Sequence, residues 1–224
     1  ILYLWNGTVP MLPHASHRFE PVPASRTEEI WTAVHPIEDL MRLENPRGGY
    51  VQNCNSPPYF TSLEAPLTRE DFPHYFSDND LNLRTQQGLS LIHNGGLFTL
   101  ESLADAKFST RFLLADRVKG DLLAALDSAA LSAEEKAAAK MLRAWDNTAA
   151  AESVGSVLFE TWWNLYRRGD AVYAEPWSEA EPVATPRGLG SPERAVSAFR
   201  EAVAEATARW GSWRVKWGDV HRLR

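Results

Sequence analysis

The last two thirds of the chain carry a series of start and stop signals for α-helices. Ser132 and Glu135 fit a capping box, in which each side chain accepts a hydrogen bond from the other's backbone N–H group. Ser191 precedes a proline, which is typical of an N-cap followed by the first helical position. Between such signals, apolar residues recur at the spacing of a helix with one buried face. With Asp78 or Asp80 as the first cap, the pattern predicts helices over residues 80–93, 99–107, 110–126, 132–145, 153–168 and 191–210.

Residues 1–66 follow a different pattern, in which short apolar stretches alternate with Pro and Gly. Ile1 to Trp5 alternates like a β-strand, and we expect it to need neighbours outside this sequence to complete its sheet. Residues 27–40 indicate a further strand and a helical turn, and Tyr50–Gln52 reads as another short strand. We therefore predict an α+β fold in one segment, with residues 1–66 in strands and turns and residues 67–224 mainly helical.

Composition narrows the classes of partner. The 224 residues include 44% hydrophobic ones, enough for a substantial core, and the net charge of -6 provides no basic surface for nucleic acid. No apolar run approaches the roughly 20 residues of a membrane span. One cysteine excludes an internal disulfide framework. Small molecules or other protein surfaces are therefore the expected partners.

The sequence has no linker-like segment at either end. The chain opens within the apolar run "ILYLW", without Met or a signal peptide, and it closes on "WGDVHRLR" without a tail. We therefore expect an internal piece of a longer polypeptide that is completed by companion chains.

Several familiar catalytic patterns are absent from the sequence. It contains no Gly-x-Ser-x-Gly elbow, no phosphate-binding glycine loop and no paired-cysteine zinc pattern. His14 and His17 lie close together, but because no third ligand follows in a recognisable pattern we interpret them as ordinary loop histidines. Cys54 has no neighbouring base that would activate it, which favours a buried spacer over a nucleophile.

Three candidate features remain, and each also has a purely structural interpretation. Asn53 and Asn55 are either turn formers or fixed hydrogen-bond donors aimed at a ligand. Arg84, on the following helix, is a surface charge or a binding residue. His221, near the end of the chain, is a core histidine, a loop hydrogen-bonding residue or a catalytic group.

Two sequence blocks carry a resemblance to a known family. These are "NPRGGYVQNCNSPPY" and the block that begins "LRAWD" and continues "ESVGSVLF", and in order with the segments around them they resemble the β subunit of the penicillin acylase family of N-terminal nucleophile hydrolases over nearly the whole chain. The "QNCN" form and the closing "WGDVH" look more like the acylases that act on acyl-homoserine lactones and lipopeptides. The resemblance implies a four-layer αββα fold and a periplasmic or secreted location.

The resemblance also implies roles for two residues. The asparagine at the position of Asn55 is an oxyanion-hole donor in the family, and Arg84 matches the arginine that orients active-site groups and binds substrate. The family register selects Asn55, but strand alternation would place Asn53 on the same face, so both stay candidates. Many relatives carry an Asp near Phe108 or Ser109, which this sequence lacks.

The implied reaction needs more than this chain. The family's nucleophile is a Ser, Thr or Cys at an N-terminus created by autocatalytic cleavage, and Ile1 is not that residue. We expect hydrolysis of a linear amide in an acyl-homoserine lactone, a lipopeptide or a β-lactam side chain, with the nucleophile on a companion chain and no cofactor. Some members hold a structural calcium ion, but no aspartate cluster here indicates one. The alternatives are a catalytically inactive scaffold with this fold and an independent helical interaction domain.

Overall fold

The computed structural model describes residues 1–5, 7–12, 25–78 and 80–222. These residues form two compact units, Ile1–Phe98 and Thr99–Arg224. The expectations for His14 and His17 lie outside the described residues. Among the helices of the described ranges, none combines the length and apolar composition that a bilayer crossing requires.

The first unit contains a two-stranded antiparallel sheet. Strand β1 (Leu2–Leu4) pairs with β2 (Arg42–Glu44), and Tyr3 lies opposite Leu43. The strand predicted over Ile1 to Trp5 is therefore confirmed. Among the described residues, this strand pairs with β2. The contact continues beyond the strands, since the Trp5 N–H donates to the Met41 carbonyl at 2.8 Å.

The predicted strand at Tyr50–Gln52 is wrong, since these residues belong to no strand among those the structure describes. Gln52 instead hydrogen-bonds to a loop: its N–H donates to the Thr61 carbonyl at 3.0 Å, and Nε2 donates to the Phe60 carbonyl at 3.1 Å. Residues 27–40 likewise contain two 3₁₀ turns and a single bridge from Val34 rather than a strand. The backbone N–H groups of a single short apolar run can donate to loop carbonyls instead of to a neighbouring strand. The local sequence pattern therefore did not determine whether a strand pair forms.

The first α-helix, α1, spans Leu83–His93. The predicted cap at Asp78 or Asp80 is wrong, because the side-chain oxygen of Asn82 accepts the N–H of Thr85 at 2.9 Å. An amide oxygen at this position satisfies one of the N–H groups that every helix start leaves unpaired. The buried apolar side chains of this unit include Leu89 of this helix together with Met41, Tyr59, Phe60, Phe76 and Leu81.

The second unit is helical, as the sequence predicts. Thr99 and Ser132 form capping boxes, and Ser191 caps the helix that begins with Pro192. Gly211 ends that helix in the left-handed conformation that favours glycine, with φ 79°. The helices are α2 (Leu100–Lys107), α3 (Leu113–Asp127), α4 (Ala133–Ala144), α5 (Ser156–Tyr166), α6 (Pro192–Trp210) and α7 (Trp217–Val220).

Helix α5 is the centre of the second core. Trp162 is fully buried, and its indole Nε1 donates to the carbonyl of Ala195 on α6 at 3.0 Å. Phe159 and Tyr166 pack against the same indole, with ring centroids at 5.3 and 5.4 Å. Small residues such as Ala195 and Ala202 are fully buried on α6, so the two helices can approach closely around these rings.

Candidate active site

The residues that follow Gln52 form a tight turn, residues 53–56, which we call the Asn loop. Asn55 has φ 57°, in the left-handed region that asparagine tolerates better than most residues. Its backbone N–H donates to the side-chain oxygen of Asn53 at 2.9 Å. Asn53 is thus a turn former, because its carboxamide oxygen replaces a backbone acceptor. Both side chains are exposed.

Arg84 joins α1 to the Asn loop. Its Nη2 donates to Oδ1 of Asn55 at 2.7 Å and also to the carbonyl of Cys54. A guanidinium contains only donors, so the contacting atom of Asn55 must be its oxygen, and the NH₂ group must point away from Arg84. That NH₂ group makes no hydrogen bond within the ranges that the structure describes. The arrangement therefore presents an oriented N–H donor at the protein surface.

Buried polar atoms without partners lie at the base of the Asn loop. Gln52 is 7% exposed and its Oε1 has no hydrogen-bond partner in the described chain, although Nε2 has one. The hydroxyl groups of Ser56 and Ser62 are also buried and have no hydrogen-bond partner among the described residues. Such atoms normally pair with water or with protein, because leaving one unpaired costs about 1–3 kcal/mol.

Three side chains tie the approach to the Asn loop to the end of α1. The Tyr50 hydroxyl accepts the N–H of Leu63 at 3.1 Å and lies 3.3 Å from Nδ1 of His93. Nε2 of His93 lies 3.9 Å from Oε1 of Glu64. The loop is therefore anchored to α1 before Gln52 as well as at Asn55.

The family model described as Penicillin amidase matches residues 1–224. The chain belongs to the penicillin amidase family. The resemblance seen in the sequence is thereby confirmed.

Two relatives illustrate this membership. The chain is similar to the acyl-homoserine lactone acylase PvdQ of Pseudomonas putida, with 26% identity over 245 residues, covering 99% of this chain and 31% of that protein. Its fold is similar to the thermostable penicillin G acylase from Alcaligenes faecalis, with a TM-score of 0.59, 18% identity, and coverage of 96% of this chain and 46% of that one. The chain thus spans about a third of the length of the curated relative.

His221 lies in the second unit of this penicillin amidase family member, whereas Asn55 and Arg84 lie in the first. Its ring stacks on Trp217 with centroids 3.7 Å apart, and Nε2 lies 3.2 Å from Oε2 of Glu160. His221 therefore connects α7 to α5. This matches its interpretation as a loop hydrogen-bonding residue.

The described residues of this family member contain no group of three or more His, Cys, Asp and Glu side chains that could hold a metal ion. Cys54, predicted to be a buried spacer, is only partly buried, because it lies in the exposed turn. Sequence reasoning did not single out Gly88, which packs against Cys54. A glycine inside a helical run is the signal that could have identified it.

Proposed function

We propose that this chain supplies the oxyanion-binding asparagine of an acylase that hydrolyses linear amides, and that Asn55 is that residue. The observation that carries the proposal is the 2.7 Å hydrogen bond from Arg84 to Oδ1 of Asn55, which directs the amide NH₂ outward. A preorganised donor that faces the developing negative charge of a tetrahedral intermediate contributes about 3 kcal/mol to catalysis. Asn53 is the weaker candidate, because the family resemblance selects Asn55 and because a neutral backbone N–H, rather than a charged guanidinium, holds the oxygen of Asn53.

The proposed reaction begins when an N-terminal Ser, Thr or Cys on a companion chain attacks the amide carbonyl, with its own α-amino group as the base. The carbonyl oxygen becomes negative and accepts a hydrogen bond from Asn55. Collapse of this intermediate expels the amine, which takes the proton held by the α-amino group, and water then hydrolyses the acyl-enzyme to release the acid. Arg84 contributes by holding the Asn55 amide in place and by its positive charge near the bound substrate. The sequence of steps requires no cofactor.

The companion polypeptide would complete a four-layer αββα fold and provide the nucleophile and most of the acyl pocket. One observation supports such a neighbour. Ile1 and Leu2 at the edge of the small sheet are each 60% exposed. An exposed apolar strand edge is a site for further pairing.

The substrate class that we propose is an acyl amide. N-acyl-homoserine lactones come first, because the relative that matches 99% of this chain is named for them. Lipopeptides and β-lactam side chains are the other members of this class. A periplasmic or secreted location belongs to the same proposal.

The test is to purify the complete protein, sequence the N-terminus of each chain and assay all three amide classes for release of the acid. We expect one chain to start with Ser, Thr or Cys, at least one amide to be hydrolysed, and activity to be lost when that first residue is replaced by Ala. Another residue at every N-terminus, together with no hydrolysis, would identify a catalytically inactive scaffold instead.

A further inference from the structure

Gly88 occupies the interior of α1, where glycine is the least favourable residue apart from proline. A Cβ atom built at this position would lie 3.1 Å from Sγ of Cys54, closer than ordinary van der Waals contact. Gly120, inside α3, provides a comparison, because a Cβ there meets nothing within 4 Å. The local structure thus gives a packing reason for glycine at position 88 but none at position 120.

Gly88 and Arg84 act on the same part of the Asn loop. They lie four residues apart on α1 and therefore share one face of the helix. Gly88 contacts the sulfur of Cys54, while Arg84 donates to the carbonyl of Cys54 and to the side chain of Asn55. One face of α1 thus holds two consecutive loop residues, one through sulfur packing and the other through hydrogen bonds.

We propose that Gly88 and Cys54 form a size-matched pair that sets the position of the Asn55 amide relative to α1. The inference rests on the proposed role of Asn55 as the oxyanion donor. Cysteine has one side-chain torsion, so the sulfur can make room for an added methyl group only by leaving its rotamer or by moving the Cys54 backbone. The second route moves the neighbouring Asn55, whose left-handed conformation leaves little freedom to compensate.

A small displacement of this kind affects the transition state more than the bound substrate. The NH₂ group of Asn55 is needed where negative charge develops, so its misplacement lowers kcat and leaves KM nearly unchanged. Misplacement of a catalytic group by about 1 Å can cost roughly 100-fold in rate. A displacement of a few tenths of an ångström should therefore lower kcat by about tenfold.

The experiment is a double-mutant cycle in the complete, processed enzyme, with kcat and KM measured for Gly88→Ala, Cys54→Ala and the double variant. We expect Gly88→Ala to lower kcat about tenfold in the native background but less than about twofold in the Cys54→Ala background, with KM unchanged. Gly120→Ala is the matched control, a glycine-to-alanine change inside a helix with open space, and should leave both constants unchanged.

Two results would overturn the inference: an unchanged kcat for Gly88→Ala, or an equal loss of kcat in both Cys54 backgrounds. If Gly88→Ala prevents maturation, the yield of processed protein provides the comparison. Recovery of that yield in the double variant supports the pair, and equal loss in both variants contradicts it. Asn55→Ala, measured alongside, separates the two proposals: a normal kcat for Asn55→Ala removes the proposed function itself, whereas a large loss there with no effect at Gly88 removes only this inference.

Discussion

Nη2 of Arg84 lies 2.7 Å from Oδ1 of Asn55 and also donates to the carbonyl of the residue before it. Since arginine has no acceptor, the contact determines which end of the Asn55 amide faces α1 and which end is available to a ligand. A side-chain amide can otherwise rotate by half a turn at little cost. Arg84 therefore acts by orienting the NH₂ group of Asn55.

Replacing Arg84 should reveal this orienting role. Arg84→Lys keeps the charge but lacks the planar Nη2 group whose two N–H bonds reach the Cys54 carbonyl and Asn55 Oδ1, so we expect kcat to fall about tenfold, and Arg84→Ala should cost more. Arg47→Lys, at an exposed arginine of the same unit, is the control and should have no effect. Steady-state kinetics on the complete enzyme provide the measurement, and a kcat for Arg84→Lys equal to that of the control would contradict the role.

Asn53 and Asn55 should respond differently to aspartate. At Asn53 the structure uses only the side-chain oxygen, which Asp retains, so Asn53→Asp should keep kcat within about threefold while Asn53→Ala loses the turn hydrogen bond and about tenfold in kcat. At Asn55 the account requires the NH₂ group, which Asp lacks. If Asn53→Asp proved as damaging as Asn53→Ala, the donor would have to be reassigned to Asn53.

Gly155 in the second unit should not tolerate a side chain. Its φ of -92° is accessible to any residue, but a Cβ there would lie 2.3 Å from Cγ of Trp145. We expect Gly155→Ala to destabilise the unit by about 3 kcal/mol because the indole must move. Gly120→Ala, with open space around it, should stabilise by up to about 1 kcal/mol. Urea unfolding midpoints of the two variants should shift in opposite directions; a shift of both in the same direction would count against this packing.

Asp146 provides a prediction about pH. The Thr148 hydroxyl donates to its Oδ1 at 2.8 Å, and this hydrogen bond is the largest cause that lowers the pKa of Asp146 below its ordinary value. A carboxyl whose folded pKa is depressed contributes stability above its unfolded pKa and loses it as pH falls through the folded pKa. Thr148→Val should therefore lower the urea midpoint at pH 7, with the difference from native shrinking below about pH 4.

The control for this prediction is Thr207→Val. The Thr207 hydroxyl donates to the carbonyl of Val203 at 2.8 Å, and neither partner titrates. Its effect on the urea midpoint should therefore stay the same from neutral to acid pH. A pH-independent effect of Thr148→Val would show that its hydroxyl does not act through the charge of Asp146.

Much of the helical unit could be predicted from the sequence, because N-caps such as Ser132 and Ser191 are local signals. Both residues cap helices in the structure. The region around the Asn loop could not. The run before Asn53 resembles a strand, but its hydrogen bonds go to a loop at Thr61, and pairing over that distance leaves no local trace. The hydrogen bond from Arg84 to Asn55 could not be predicted from local patterns either, because the two residues are 29 positions apart.

The most direct test of the account is kcat and KM for Asn55→Ala in the complete, processed enzyme acting on an N-acyl-homoserine lactone. Asn94→Ala, at an exposed asparagine that follows α1, is the control. We predict a loss of about 100-fold or more in kcat with KM nearly unchanged, normal processing and an unchanged control. A kcat within about threefold of the native enzyme would contradict the assignment of Asn55 as the oxyanion donor.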